Sequence, residues 1–127
     1  MTFIEITVIM VVLLTFLGMT FIGVRAWKKS SDRAGCVMNI YQTQQAVRSL
    51  ANINGLAPGT NTAALSYPID IRAQLVGENG YLASEPQCPG DGIYAYAGNV
   101  IPPEGQLYLS CSLAESGEHQ PSNYHTW

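Results

Sequence analysis

The sequence predicts an α+β protein in which one long N-terminal α-helix, here called the stem, is followed by a small C-terminal head. The head is expected to carry a short antiparallel β-hairpin that packs on the helix. Three patterns support this prediction: an uncharged apolar run, an amphipathic helical repeat that continues it, and two short segments that alternate like strands. The predicted divisions are residues 1–25 for the apolar half of the stem, 26–54 for its amphipathic half, and 55–127 for the head.

The apolar run covers residues 6–24 and contains no charged side chain. As a helix it would measure ~28 Å, which is close to the hydrocarbon thickness of a bilayer. A helix that is apolar on every side is buried in lipid or among other helices. No basic region precedes the run and no small-residue cleavage site follows it, so we expect it to be retained in the mature protein.

Beyond the run, apolar side chains recur every three or four residues, which predicts one apolar stripe on a continuing helix. No proline occurs before Pro58, and Asn54-Gly55 is a typical helix end because glycine tolerates the left-handed conformation. The helix is therefore predicted from about Thr2 to Asn54. The predicted stripe consists of Trp27, Val37, Ile40, Tyr41, Gln44, Val47, Leu50 and Ala51.

The head is rich in loops. Residues 69–76 are predicted to form a short helix that ends at Gly77. Residues 93–97 and 107–111 alternate in the manner of strands, and the segment between them, with Pro102-Pro103, is a long hairpin loop. Because two strands alone are marginally stable, they are expected to lie against the long helix.

Charged residues are sparse and unevenly distributed. They make up 12% of the chain, and the formal net charge is −3. Five of the six basic residues precede residue 50, whereas the rest of the chain has seven acidic residues and only Arg72 as a base. The basic group at 25–29 fits the flank of a membrane span, with contact between a basic stem and an acidic head as the alternative. The acidic balance predicts no nucleic-acid binding.

Glu5 is the most informative single residue, because it is a carboxylate at the front of the apolar run. In lipid such a charge costs at least ~2–3 kcal/mol unless a partner neutralises it. The nearest positive charge in the sequence is the α-amino group of Met1, and Arg25 is a whole span away. Either Glu5 folds back on its own amino terminus, or it meets the amino terminus of another copy. The second arrangement makes Met1 and Glu5 an assembly pair.

Three cysteines bear on the head and on its compartment. Cys88 precedes the first predicted strand and Cys111 ends the second, so a hairpin would bring them together. A disulfide between them is predicted, worth about 3 kcal/mol in the chain-entropy model, and it would indicate an oxidising, extracytoplasmic setting. Cys36 is interpreted as a small buried thiol under the sheet, with pairing to a head cysteine or to another subunit as alternatives. No metal site is predicted, because there is no C-x-x-C and four ligands at suitable spacing are lacking.

Other candidate sites in the head are weak. His119 and His125 are interpreted as surface residues of a C-terminal arm. Asp91 and Glu104 flank the hairpin, where they could contribute to a Ca²⁺ site, but the carboxylate density of a dedicated loop is absent from the sequence. No motif frames a catalytic nucleophile or a phosphate loop. The chain is therefore predicted to be neither an enzyme nor a cofactor-binding protein.

The N-terminal sequence Thr2-Phe3-Ile4-Glu5-Ile6, together with the apolar residues that follow it, resembles the mature N-terminus of type IV pilins and pseudopilins. In that family the motif is F-T-L-I-E followed by hydrophobic residues, with the glutamate at the fifth position. Met1 stands where the family usually has phenylalanine. The resemblance covers about the first 25 to 30 residues, where charge, position and hydrophobic length agree together.

The resemblance implies a subunit of an extracellular type IV pilus-like helical filament, a homopolymer that starts as a single-pass protein of the inner membrane. It implies a leader removed before Met1 by a prepilin peptidase, N-methylation of the Met1 amine, and a pilus assembly machinery as partner. In such filaments the glutamate pairs with the N-terminal amine of a neighbouring subunit. The side chains expected in the membrane and then in the filament core include Phe3, Ile6, Val8, Leu13, Phe16 and Phe21.

Three alternatives remain open. Within the family, the chain would be a pseudopilin of a type II secretion or competence system, which forms short fibres instead of long sheared filaments. Outside the family, it would be an anchored monomer whose head binds a ligand, for which the loss of Glu5 has no effect on localisation. A membrane-anchored enzyme is the third alternative, and it requires a catalytic pocket that no motif indicates.

Overall fold

The computed structural model describes residues 2–116 and 118–127. Helix α1 comprises Phe3–Ile53 and helix α2 comprises Ile71–Leu75. Strand β1 comprises Tyr94–Tyr96 and strand β2 comprises Leu109–Cys111, and single 3-10 turns lie at Thr62–Ala64 and Tyr124–Thr126. One long N-terminal helix and a small two-stranded antiparallel sheet agree with the predicted α+β layout.

The chain divides into two compact units, one ending at Ser31 and the other comprising Asp32–Trp127. We call them the N-terminal unit and the C-terminal unit. The N-terminal unit is helical from Phe3 onward, through Gly18 and Gly23. The C-terminal unit contains the rest of α1 and all of the head, so residues 32–54 of the predicted stem belong to the same compact unit as residues 55–127.

The end of α1 follows the prediction from Asn54-Gly55. Gly55 has a positive φ of 62°, the conformation that glycine adopts with little steric cost. Its N–H donates to Asn52 O at 3.3 Å, and the N–H of Leu56 donates to Ala51 O at 2.8 Å. This pair of bonds is a Schellman motif, in which the last free carbonyls of the helix find donors. The half-buried Leu56 packs on the core at the same point, which fixes the direction of the chain as it leaves the helix.

The larger core of the C-terminal unit lies between α1, α2 and the hairpin loop. Val47 and Leu50 of α1 are buried against Ile71 and Leu75 of α2. Asp70 caps α2 by accepting a hydrogen bond from the N–H of Ala73 at 3.4 Å, so the predicted short helix is confirmed, although it is shorter at both ends than 69–76. The other buried members of this core are Ala46, Ala51, Ile101 and Tyr108.

The two predicted strands pair in antiparallel fashion, with Tyr94 opposite Cys111 and Tyr96 opposite Leu109. Leu109 and Cys111 face inward while Ser110 between them is exposed, which is the alternation expected of a half-buried strand. The inward residues pack on Ile40 of α1 in a second, smaller core. The sheet therefore lies on the long helix, as the marginal stability of two isolated strands requires.

The predicted stripe on α1 is correct in its C-terminal part and wrong at its start. Ile40, Gln44, Val47, Leu50 and Ala51 are buried, whereas Val37 is half-buried. Tyr41 is 42% exposed and Trp27 is 73% exposed. Trp27 belongs to the N-terminal unit, which contains no residue of the head.

The buried hydroxyl of Tyr108 lowers the stability of the fold, and a substitution would remove it. Its side chain is 1% exposed, and its hydroxyl finds no hydrogen-bond partner among the described residues. We expect Tyr108→Phe to raise the free energy of unfolding by about 1 kcal/mol at neutral pH, because an unpaired buried hydroxyl carries a desolvation penalty.

Burial is the main reason that the pKa of Tyr108 is raised from an ordinary 10 to about 12. The natural chain should therefore lose stability as pH rises from about 10 towards 12, since the unfolded phenol releases its proton first; the variant should lack this component.

Tyr94→Phe is the matched control, because the Tyr94 hydroxyl both donates and accepts a hydrogen bond. It donates to the Cys36 sulfur at 3.3 Å and accepts from Asn39 Nδ2 at 3.2 Å. Removing it should lower the free energy of unfolding by about 1 kcal/mol. Urea unfolding of the full chain in detergent measures both changes, and two variants with the same sign would contradict this interpretation.

Candidate functional site

Residues 6–24 of the N-terminal unit present an exposed surface without a charged side chain. The residues predicted for the filament core are all exposed in the single chain, from 51% at Ile6 to 89% at Phe3. The helix is long and apolar enough to cross a membrane. Because exposed side chains of this kind are stable in lipid or against other apolar helices, this surface is a candidate contact site. The remaining predicted residues on it are Val8, Leu13, Phe16 and Phe21.

The three threonines of residues 6–24 satisfy their own hydroxyl groups. Thr7 donates to Ile4 O, Thr15 to Val12 O, and Thr20 to Leu17 O, each at 2.8 Å. Such bonds to the preceding turn remove the free donor from each side chain. The apolar segment therefore presents no unsatisfied hydroxyl donor to its surroundings.

Glu5 lies in the first turn of α1 and is exposed. Its position at the helix N-terminus is favourable for a carboxylate, because the first N–H groups carry partial positive charge. Within residues 2–116 and 118–127, the ion pairs are Arg33 with Glu118 and Arg72 with Glu85, and Glu5 takes part in neither. Met1, the other member of the predicted assembly pair, lies outside the described residues.

A second candidate site is a buried cluster of three thiols and one imidazole, which we call the thiol–imidazole cluster. It consists of Cys36 of α1, Cys88 from the loop before β1, Cys111 at the end of β2, and His119 from the C-terminal segment. All four residues are buried, and their ligand atoms lie within 4.8 Å of one another. Pairing of the strands places Cys111 beside β1, and packing of β2 on α1 places it beside Cys36.

Hydrogen bonds connect the members of the cluster. The Cys111 thiol donates to the Cys88 sulfur at 3.7 Å, and Cys88 Sγ lies 3.3 Å from His119 Nδ1. The Cys36 thiol faces the backbone carbonyl of His119 at 3.9 Å. The Tyr94 hydroxyl donates to Cys36 Sγ from the outer side. The cluster is thus closed by protein groups on several sides.

The three thiols differ in how readily they ionise. Burial raises the pKa of Cys36 to about 12, against a smaller opposing effect of the Tyr94 hydroxyl. Burial also raises the pKa of Cys111. Burial acts in the same direction on Cys88, but N–H groups of Gly90 and Gly92 and the neighbouring thiols outweigh it, so the pKa of Cys88 is lowered. Cys88 is therefore the sulfur at which negative charge is best supported.

Two glycines allow the backbone to approach this cluster. A Cβ atom at Gly92 would lie 2.6 Å from Cys111 Sγ and 3.1 Å from Cys88 Sγ. A Cβ atom at Gly90 would lie 2.8 Å from His119 Cε1. Only residues without a side chain fit at these two positions without displacing a member of the cluster. The sequence Cys-Pro-Gly-Asp-Gly after residue 87 is thus the one local signal that the cluster leaves in the sequence.

One sequence-based prediction is wrong here, and the geometry bears on two others. His119 was expected on the surface but is 4% exposed, because it fills the space that Gly90 leaves open. Cys88 and Cys111 were expected to form a disulfide; their Sγ atoms lie side by side at 3.7 Å without a bond between them, and the disulfide stays a prediction. The expectation of no metal site rested on the lack of local spacing, whereas four potential ligands converge from distant segments. The predictions for Cys36, as a buried thiol, and His125, as an exposed residue, are confirmed.

Several of the other charged groups of the head lie along surface cavities, and Arg72, Glu85 and Asp91 line the same one. Asp91 and Glu104, considered above for Ca²⁺, line different surface cavities. Arg72 pairs with Glu85 and lies over the Tyr96 ring at 4.6 Å. Arg48 donates to the carbonyls of Pro102, Pro103 and Trp127, so it ties the hairpin loop and the last residue to α1.

Comparison with known proteins identifies no relative. No family model, no curated protein and no solved structure matches this chain. Its function is therefore inferred from its own residues and geometry.

Proposed function

We propose that this chain is the structural subunit of a type IV pilus-like filament, held in the inner membrane before assembly and extracellular afterwards. The observation that carries the proposal is the apolar surface of the N-terminal unit, with Glu5 at its start. In this role the chain performs no catalysis, and its chemistry is that of packing and charge neutralisation.

The exposed apolar side chains support the proposal through the cost of leaving them in water. Burying one Leu, Ile, Val, Phe or Met side chain is worth about 1.5–3 kcal/mol. The segment offers more than a dozen such side chains, most of them more than half exposed in the single chain. Lipid covers them in the monomer, and the equivalent helices of neighbouring copies cover them in the filament. The same surface therefore serves both states.

Glu5 supplies the polar requirement for assembly. In a bundle of apolar helices its carboxylate loses water, and a buried charge without a partner is strongly unfavourable. The N-terminal amine of a neighbouring copy neutralises it, which also fixes the axial offset between adjacent helices. The loss of one partner of such a pair costs about 3–5 kcal/mol, which is the size of effect that decides whether the polymer forms.

Exposed charges in each unit fit lateral contacts between copies. Arg25, Lys28 and Lys29 are exposed on the N-terminal unit. Glu78, Glu104 and Glu115 are exposed on the head. Contacts between basic helices and acidic heads of different copies would set their register and would weaken at high salt.

Native material tests the proposal directly. Cells that produce the protein are sheared, and the released fraction is imaged by electron cryo-microscopy while its first peptide is measured by mass spectrometry. We expect long filaments with the N-terminal helices bundled at the centre and a methylated amine on the first residue. Molecules that stay separate in the membrane would refute the proposal. Short fibres that form only on overexpression would instead identify a pseudopilin.

A further inference from the structure

We propose that Cys36, Cys88, Cys111 and His119 form a structural zinc site in the C-terminal unit. The site is independent of filament assembly, because all four residues lie within Asp32–Trp127. It assigns a function to residues that the filament proposal leaves unexplained.

The distances between the ligand atoms fit a tetrahedrally coordinated ion better than a disulfide beside two uninvolved residues. Zinc bonds of ~2.3 Å to sulfur and ~2.0–2.1 Å to nitrogen place neighbouring tetrahedral ligand atoms ~3.5–3.8 Å apart. The Sγ atoms of Cys88 and Cys111 are 3.7 Å apart, and Cys88 Sγ is 3.3 Å from His119 Nδ1. All four ligand atoms lie within 4.8 Å of one another, so the longer separations need to shorten by up to about 1 Å when one ion binds at their centre.

The donor set selects zinc by its chemistry. Three thiolates and one imidazole form one of the ligand sets of closed structural zinc sites, whereas Ca²⁺ and Mg²⁺ require oxygen ligands. A two-iron cluster would need ligands spread over two metal ions, and these four converge on one point. Four protein ligands leave no open position for substrate, so the ion stabilises the fold and does not catalyse.

Binding balances as a proton exchange. Zn²⁺ replaces the three thiol protons, which leave to solvent, and the lone pair of His119 Nδ1 completes the shell in the tautomer that carries hydrogen on Nε2. The resulting complex has one net negative charge. The Tyr94 hydroxyl, which donates to Cys36 Sγ at 3.3 Å, supports part of that charge.

The site explains how so small a head is held together. Its ligands join α1, the loop before β1, the end of β2 and the C-terminal segment, and the three cysteines belong to the smaller core. Small domains with thin cores commonly rely on such a link. Zinc thus performs the stabilising role that the sequence analysis assigned to a disulfide.

Metal analysis of the full chain tests the proposal first. The protein is purified in detergent without chelator, from cells grown with added zinc, and its metals are measured by plasma mass spectrometry. We expect one zinc per chain and three thiols that react with an alkylating reagent only after a strong chelator has removed the metal. Chelation should also lower the thermal unfolding midpoint.

Cobalt replacement then identifies the ligands. Co²⁺ added to the reduced, metal-free full chain should give the intense visible bands of a tetrahedral thiolate site. His119→Gln should weaken Co²⁺ binding by more than the ~10–100-fold that loss of an outer hydrogen-bonding partner costs. His119→Cys should restore binding with stronger sulfur-to-metal charge transfer. His125→Gln is the matched control, because His125 is exposed in the same segment, and it should bind Co²⁺ normally.

Three results would each overturn the proposal. They are a Cys88–Cys111 disulfide in freshly isolated protein, a different metal in place of zinc, and no tetrahedral Co²⁺ spectrum from the reduced full chain. Metal analysis of the unaltered chain tests the zinc site even if a ligand variant fails to fold. Failure of the zinc site would leave the filament proposal unchanged, since electron microscopy tests that separately.

Discussion

Glu5→Ala should abolish filaments while leaving the monomer in the membrane. The apolar surface proposed to hold the chain in lipid is unchanged by the substitution, so the amount in the membrane fraction should match that of the natural protein. Assembly would leave a neighbouring N-terminal amine among apolar helices without its counter-charge. At about 3–5 kcal/mol per subunit, the association constant should fall by on the order of 10²- to 10³-fold or more.

The measurement is the amount of sheared filament in cells that produce each variant, counted by negative-stain electron microscopy and compared with the membrane-bound amount. Glu5→Gln separates charge from size and should also fail, because an amide cannot neutralise an ammonium group. Thr7→Val is the matched control on the same helix, since the Thr7 hydroxyl is already bonded to Ile4 O. Filaments of normal abundance from Glu5→Ala would contradict the role assigned to the carboxylate.

Gln44→Leu should be among the most destabilising single changes in the C-terminal unit. Gln44 is fully buried, and its amide bonds the chain that leads into β2 at two points. Nε2 donates to Gln106 O at 3.0 Å, and Oε1 accepts from the N–H of Tyr108 at 2.9 Å. Leucine has a similar volume but leaves both backbone groups without this partner. We expect the free energy of unfolding to fall by about 2–4 kcal/mol.

Gln42→Leu is the control for this experiment. Gln42 is exposed on the same helix, and changes at such positions usually alter stability by less than about 0.5 kcal/mol. Urea unfolding of the full chain in detergent gives the two values, and hydrogen exchange of the Tyr108 amide reports the local bond. Equal stability of the two variants, or full protection of the Tyr108 amide in Gln44→Leu, would show that the amide does not hold this segment.

Local patterns were sufficient to predict most of the secondary structure. The end of α1 follows from the left-handed freedom of Gly55, and the strands follow from alternation over a few residues. The position of the sheet on α1 follows from the marginal stability of two strands. These features depend mainly on residues close together in the sequence, so they can be predicted from one sequence.

The thiol–imidazole cluster was missed because its members are not neighbours in the sequence. Cys36 and His119 are 83 residues apart, and the loop that brings Cys88 to them has no regular secondary structure. A pairing of two cysteines across a hairpin can be inferred from strand order alone. The contribution of His119 depends on the path of the C-terminal segment after β2, which no periodic pattern specifies.

The internally bonded threonines of the apolar segment have a consequence for the proposed transfer of this helix from lipid to a filament. A threonine whose hydroxyl donates to a carbonyl of its own helix loses less when hydrocarbon replaces water than one with a free donor. In the proposed filament, Thr7, Thr15 and Thr20 would pass from acyl chains to neighbouring helices, or back again, at little solvation cost. Glu5 would then be the one charged side chain of residues 2–24 whose surroundings change.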